Sequence, residues 1–170
     1  MSDARILTIG HSNHKLAHFL ALLEGAGVSA VADVRSRPVS RWVPHFNRVP
    51  LQAALAERGI SYLFLGRELG GRPDDPALMT GGKPDYVAMG KTPAFAAGLT
   101  RVIEAGTTDR VALLCAERDP IDCHRFLLVG RELAARDVQV AHILANGELE
   151  PHADTERRAR NDAPGDLFRQ

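Results

Sequence analysis

The chain has 170 residues, a formal net charge of +0 and 45% hydrophobic residues, values typical of one soluble globular domain. Basic and acidic residues number 21 each, so net charge predicts neither general nucleic-acid binding nor membrane binding. No apolar run approaches the roughly 18 residues of a membrane span, and no signal-peptide core precedes the first strand. Two cysteines in this setting predict cytosolic thiols, so we expect a cytoplasmic protein with no membrane partner.

Strand and helix signals alternate along most of the chain. The predicted strands are short apolar runs, at residues 6–9, 28–34, 60–65, 111–114 and 138–144. This order predicts an α/β domain over residues 1–145, with an open, Rossmann-like parallel sheet of about five strands between two layers of helices. Residues 146–170 contain few apolar and many charged residues, which predicts a peripheral charged tail.

Local signals predict where helices begin. Ser12 or Asn13 is expected to cap the first helix, and Pro50 to open the second. Asp122 is expected to cap a helix with Cys123 in its first turn. Residues 66–92 contain six glycines and three prolines, which predicts a functional lid or a series of short helices.

Both cysteines lie in one stretch around the end of the central strand. Cys115 ends the apolar run and Cys123 begins the next helix, so both are expected at the carboxyl edge of the sheet, where open α/β folds bind ligands. Cys123 is predicted to be the more reactive thiol, because helix amides favour a thiolate there and His124 and Arg125 are adjacent. Glu117, just past the strand, is a candidate general acid or base.

Each of these candidates also has a purely structural interpretation. Cys123 would be a small residue that fills a helix start, Cys115 an inert buried thiol, and Glu117 a solvated loop charge.

The spacing of eight residues between the cysteines allows two further interpretations. The sulfurs could form a resolving pair, or they could be two metal ligands with nitrogen from His124, His142 or His11. Because no Cys-x-x-Cys pair is present, the metal signal is weak and no metal ligand is assigned.

Polar residues that follow the first two strands form a second candidate group. The candidates for binding an anion are His11, Ser12, Asp33, Arg35, Arg37, Ser40, Arg41, Gly70 and Gly71. Arg35 and Arg37 would form a donor-rich wall for phosphate or carboxylate, with His11 and Ser12 as further donors. The alternative is that these arginines only pair with acidic residues such as Asp33. With neither a three-glycine dinucleotide fingerprint nor a P-loop, the sequence names no cofactor.

An aromatic group lies in the loop after the second strand. Trp42, His45 and Phe46 could stack on a nucleic-acid base or cover an edge of the core, and the core role is favoured.

Six sequence blocks together resemble one known family. The blocks are Thr8-Ile-Gly-His-Ser12, Asp33-Val-Arg-Ser-Arg-Pro38, Leu65-Gly66 with Leu69-Gly-Gly71, Leu114-Cys-Ala-Glu117, Cys123-His-Arg125 and Val140-Ala-His-Ile143. They look like the domain-of-unknown-function family four-eight-eight, small bacterial and archaeal proteins, over roughly Ile6 to Thr155. The resemblance implies the same candidate pocket, because its signature positions are the residues singled out above. It implies no particular reaction.

Two functions from different classes follow from these residues. The first is an enzyme acting on an anionic small molecule, a nucleotide or a nucleic-acid end, with Cys123 or Glu117 as nucleophile or acid/base and Arg125 stabilising developing charge. The second is a non-catalytic module whose cysteines respond to redox state or hold a metal. The sequence names neither the substrate nor the oligomeric state.

Overall fold

The computed structural model describes residues 3–162. Its strands are β1 (Ile6–Gly10), β2 (Ala30–Asp33), β3 (Ser61–Phe64), β4 (Met79–Thr80), β5 (Lys83–Pro84), β6 (Val111–Cys115), β7 (Val140–Ile143) and β8 (Leu149–Pro151). Its α-helices are α1 (Leu16–Gly25), α2 (Arg48–Glu57), α3 (Gly66–Leu69), α4 (Tyr86–Gly90), α5 (Pro93–Thr108), α6 (Arg131–Ala134) and α7 (His152–Asp162). A π-helical segment, Arg125–Gly130, leads directly into α6.

One six-stranded sheet in the order β3-β2-β6-β1-β7-β8 organises the domain. Its first five strands are parallel, and β6 lies between β1 and β2. The predicted α/β class and the central position of the cysteine-bearing strand are therefore confirmed. The sixth strand, β8, pairs antiparallel with β7. The sequence did not reveal β8, because three residues with a single aliphatic side chain carry no strand pattern.

Both faces of the sheet are buried, which explains why its strands read as continuous apolar runs. In β1, Leu7 and Ile9 belong to one core cluster while Ile6 belongs to the other. Helices α1 and α2 cover the first face, and α5 with the segment after Arg125 covers the second.

Three predicted helix starts are wrong. Helix α1 begins after Lys15, because Ser12 has a left-handed φ of 48° and its amide bonds to the Ala116 carbonyl at 2.9 Å. Pro50 is the third residue of α2, which it tolerates because first-turn amides need no intrahelical partner. Asp122 ends a 3₁₀ turn and caps nothing.

The remaining irregular regions contain short elements. Residues 66–92 hold α3, a 3₁₀ turn, the β4–β5 hairpin and α4, which is the second of the two predicted alternatives. The segment predicted as a tail contributes β8 and α7, whose His152, Thr155 and Ala159 are buried, and residues 163–170 lie outside the described residues. Within residues 3–162, no helix is long and apolar enough to cross a membrane.

Candidate active site

The ends of β2, β6 and β1 bring three segments together at the carboxyl edge of the sheet. Gly10 and Cys115 are register partners, and the amide of His11 bonds to the Cys115 carbonyl at 2.9 Å. On the other side of β6, the amide of Val34 bonds to the Leu114 carbonyl at 3.1 Å. Because these strands are parallel neighbours, the loops after them surround one depression.

This depression is a cavity of about 400 Å³. Its lining residues are His11, Arg35, Ser36, Arg37, Val39, Ser40, Gly71, Arg72, Pro84, Tyr86, Cys115, Ala116, Glu117, Asp122 and His124. The volume is in the range of cavities that bind small molecules.

Three polar groups surround the sulfur of Cys115. Its Sγ lies 2.6 Å from the Sγ of Cys123, 3.0 Å from Oε2 of Glu117 and 3.5 Å from Nδ1 of His124. Both thiols are free and buried, but of the two only Cys115 lines the cavity.

The ring of His124 is held in one orientation. Its Nε2 lies 3.1 Å from the Val34 carbonyl, so this nitrogen carries a proton and Nδ1 faces the sulfurs. Gly71 packs against the ring: a Cβ on Gly71 would come within 2.7 Å of the His124 Cγ. The second glycine of the predicted pair therefore has a clear structural reason.

The two sulfurs titrate as a pair, because they share one buried position. The hydrogen bond from Cys123 is the largest influence on Cys115 and, with His124, outweighs burial to lower the pKa of Cys115 to about 6. Burial, followed by the neighbouring sulfur, raises the pKa of Cys123, because a second negative charge would occupy the same site. Burial is the largest single influence on His124 and disfavours its charged form, but the Cys115 thiolate, the Glu117 carboxylate and the Val34 carbonyl together outweigh burial and raise the pKa of His124.

The guanidinium of Arg125 is completely buried behind this cluster. Its Nη2 donates to the carbonyls of Glu117 (3.3 Å) and Arg118 (3.0 Å), while Nε and Nη1 have no hydrogen-bond partner within the described structure. The Arg125 amide donates to the Cys123 Sγ at 3.4 Å. A buried cation with so few partners favours negative charge nearby, and a thiolate on the sulfur pair supplies it.

Arg35 and Arg37 both line the cavity, but they are held differently. Arg35 is buried and forms two bonds to Asp33, from Nε at 2.9 Å and from Nη2 at 2.7 Å. Arg37 is 81% exposed, and its only ion pair in the described chain is at 3.6 Å to Asp74, itself 96% exposed. Arg35 is therefore a fixed donor and Arg37 a mobile one.

His11 offers an acceptor where a donor was predicted. Burial lowers the pKa of His11 to about 4, so the ring is neutral at physiological pH. Its Nδ1 lies 2.8 Å from the Ser12 carbonyl and must carry the proton. The other ring nitrogen then has only a lone pair to offer.

A family model confirms the resemblance seen in the sequence. The model for the domain of unknown function DUF488 matches residues 15–131, more than half of the chain. The chain belongs to the DUF488 family. Four of the six sequence blocks lie inside the match, and the blocks at residues 8–12 and 140–143 lie outside it. A search of curated proteins and a search of solved structures found no match.

The cavity of this DUF488 protein contains most of the residues predicted from sequence. Six predicted residues do not line it: Ser12, Asp33, Arg41, Gly70, Cys123 and Arg125. Asp33, Cys123 and Arg125 contact lining residues from behind. Ser12 instead lies 3.4 Å from the Nε of Arg118.

Sequence reasoning missed four polar residues in the wall of the DUF488 cavity: Ser36, Arg72, Tyr86 and Asp122, the last of which was predicted only as a helix cap. Arg72 follows the glycine pair, and its amide donates to the Ser36 Oγ at 3.0 Å. Burial of Tyr86, in the irregular region, raises its pKa, and negative charge on the nearby sulfur pair adds to this effect. The one signal in the sequence was the position of Arg72 directly after Gly70-Gly71, which could have indicated that Arg72 also lines the cavity.

The same cluster is the one group of metal-type donors found in residues 3–162. The donor atoms of Cys115, Cys123 and His124 lie within 4.8 Å of one another. His142 cannot join them, because its ring nitrogens bond to Thr8 (2.7 Å) and His152 (3.1 Å). Two thiolates on one tetrahedral zinc would be about 3.7 Å apart, since each Zn–S bond is about 2.3 Å. The observed 2.6 Å is shorter than that spacing, so the two sulfurs as placed do not span a tetrahedral zinc.

Proposed function

We propose that this DUF488 protein is an enzyme in which the Cys115 thiolate attacks an electrophilic atom of an anionic substrate. One observation carries the proposal: the Cys115 sulfur lines a cavity that also contains arginines, and it contacts a thiol, a carboxylate and an imidazole. A cysteine with a purely structural role is usually surrounded by apolar side chains, whereas this sulfur has proton acceptors on one side and a ligand-sized cavity on the other.

Each group around the sulfur has a role in the proposed step. The proton of Cys115 passes to Nδ1 of His124, whose Nε2 proton is already held by the Val34 carbonyl. The thiolate then forms a bond to the substrate, and the departing group leaves with its electron pair and takes the His124 proton. In the proposed second step, Glu117 takes a proton from a water molecule, which attacks the acyl, phosphoryl or similar group and displaces the Cys115 thiolate.

Charge balance around the cavity supports this assignment. With His124 protonated and one thiolate present, the groups nearest the sulfur together with the Asp33–Arg35 pair balance as three cations and three anions, while the lining residues Arg37, Arg72 and Asp122 add a charge of +1 at the rim of the cavity. The cations are Arg35, Arg125 and His124, and the anions are Asp33, Glu117 and Cys115.

Arg37 is expected to hold the anionic part of the substrate. Arg37→Ala should weaken protection of Cys115 from iodoacetamide by inorganic phosphate, raising the half-protecting concentration about 5- to 150-fold, which corresponds to about 1–3 kcal/mol for a charge-assisted bond. The measurement is the labelling rate against phosphate concentration. Arg157→Ala, an equally exposed arginine on α7, is the matched control and should change nothing. Equal protection in all three proteins would contradict anion binding by Arg37.

A reversible dithiol–disulfide pair is the second candidate, favoured by the 2.6 Å separation of the sulfurs. A hydroperoxide would oxidise the Cys115 thiolate to a sulfenic acid, releasing an alcohol. The Cys123 thiol would then displace water to form the disulfide. Treatment with one equivalent of hydroperoxide should then remove both free thiols and two hydrogens of mass. Persistence of both thiols would exclude this candidate, and about one equivalent of zinc in protein purified without chelator would favour a metal site instead.

A further inference from the structure

We infer that the substrate of the proposed enzyme is single-stranded nucleic acid, with one nucleotide in the cavity and a neighbouring base stacked on Trp42. The inference rests on the proposed function and names its substrate class. Its independent basis is the surface beside the cavity, formed by the loop between β2 and α2.

This loop has an excess of positive charge, although the net charge of the whole chain is zero. Residues 34–47 include Arg35, Arg37 and Arg41 and contain no aspartate or glutamate, and Arg48 follows as the first residue of α2. Because Arg35 is paired with Asp33, the other three arginines supply the excess charge. An electropositive stripe that ends at the cavity mouth would attract a phosphate backbone and guide it inward.

The side chain of Trp42 was expected in the core but lies on the surface. It is 79% exposed, whereas Phe46 of the same loop is completely buried. The Trp42 amide bonds to the Oγ of Ser40, which lines the cavity, at 3.1 Å. The guanidinium of Arg41 lies 4.8 Å from the centre of the indole ring. An exposed ring flanked by arginine is the arrangement with which single-strand-binding proteins stack bases and hold phosphates.

Two further exposed apolar side chains belong to the same segment of the chain as Trp42. Val39, which lines the cavity, is 75% exposed and Val49 is 77% exposed. The described structure exposes four large apolar residues, and three of them are Val39, Trp42 and Val49. Their concentration in the most basic segment favours a ligand that offers flat apolar faces and phosphates together, which is the chemistry of an unpaired nucleotide chain.

The cavity supports a single-stranded rather than a duplex ligand. Its volume of about 400 Å³ admits one nucleotide-sized group and cannot admit a base pair with its stacked neighbours. Cys115 lies in the wall of this cavity, so chemistry there requires the reacting nucleotide to leave any helix. Bases that are already unpaired avoid the energetic cost of that step.

The chain provides its own fluorescent reporter for a test. Trp42 is the one tryptophan in the 170 residues, so quenching of tryptophan fluorescence reports on this surface alone. The probe is a single-stranded oligonucleotide of about 12 nucleotides, a length typical of single-strand sites. The comparison ligands are a mononucleotide, the same sequence as a duplex, and inorganic polyphosphate.

The inference expects the oligonucleotide to quench Trp42 and to bind more tightly than each comparison ligand. Trp42→Ala should weaken oligonucleotide binding, measured by anisotropy of a labelled strand, about 5- to 150-fold, the usual effect of losing one stacked base. Trp42→Phe should recover part of the loss because it keeps a flat ring, and Arg157→Ala should match the unmodified chain. Polyphosphate or duplex binding as tight as the single strand, or full affinity in Trp42→Ala, would overturn the inference.

Failure of this inference and failure of the proposed function can be told apart. The labelling rate of Cys115 in the unmodified protein, without nucleic acid, tests the thiol chemistry alone. Fast labelling without oligonucleotide binding overturns only the substrate class. Tight oligonucleotide binding with an unreactive Cys115 overturns the proposed function and would make this surface a binding site instead.

Discussion

Asp33→Asn is expected to lower the free energy of unfolding by about 3–5 kcal/mol, the usual effect of removing one partner of a buried ion pair. Asp33 is completely buried and accepts two bonds from the Arg35 side chain, one from the Arg35 amide at 3.1 Å and one from the Tyr62 hydroxyl at 2.6 Å. Asparagine keeps the size of the side chain but leaves the guanidinium without a counter-charge. Urea denaturation at neutral pH measures the change.

An exposed ion pair in the same region provides the matched control. Asp74→Asn removes the partner of Arg37, but both side chains are largely in water. Exposed pairs contribute at most about 1 kcal/mol, so this change should leave stability almost unaltered. Equal losses in the two variants would mean that the Asp33–Arg35 pair does not hold the cavity wall.

Cys115→Ser is expected to abolish fast alkylation, the largest effect predicted for the site. The remaining thiol, Cys123, has a raised pKa because of burial, and it does not line the cavity. Mass spectrometry of the labelled peptides measures the rate at each position at neutral pH.

Cys123→Ala is the informative partner of that variant. It should leave Cys115 reactive but remove the hydrogen bond that most lowers its pKa. A bond to a charged group contributes about 1.5–3 kcal/mol, so the thiolate fraction of Cys115 at neutral pH should fall about 2- to 15-fold. Labelling of Cys123 before Cys115 in the unmodified protein would contradict this assignment and restore the order expected from sequence.

The fold was predictable because its signals are local and repeated. Five of the six strands are short apolar runs between helical patterns, and the βαβ order leaves few arrangements of a parallel sheet. The cavity followed from the same logic: residues after Gly10, Asp33 and Leu114 had to meet once their strands were parallel neighbours.

The reactivity order of the thiols was not predictable in the same way. Sequence predicted Cys123 in the first turn of a helix capped by Asp122, but Cys123 has an extended backbone, with φ of −133°, just before the helical segment, and its sulfur lies 2.6 Å from that of Cys115. The amide of Arg125 donates to the Cys123 sulfur and so favours negative charge on the pair of sulfurs, but it is Cys115 that faces the cavity. Which sulfur faces a cavity depends on tertiary packing, and no local pattern encodes it.

The exposure of Trp42 was also not predictable from the sequence. A large aromatic residue near Phe46 is most often part of a core, and statistics therefore favoured burial. In the structure that core position is filled by Phe46, whose ring stacks on His11 at 4.7 Å and meets Phe19 edge-to-face at 5.0 Å. The exposed indole is informative because it departs from the usual behaviour.

The pH dependence of Cys115 alkylation tests the central claim most directly. The thiolate is the reactive form, so the rate should rise as pH increases through about 6 and be nearly constant at neutral pH. Protein unfolded in urea should show an ordinary thiol profile instead, with a midpoint near 8.5. A midpoint near 6 for Cys115 in the folded protein is the result we expect. A folded-state midpoint at or above that of the unfolded protein would contradict the proposal that Cys115 is an activated nucleophile.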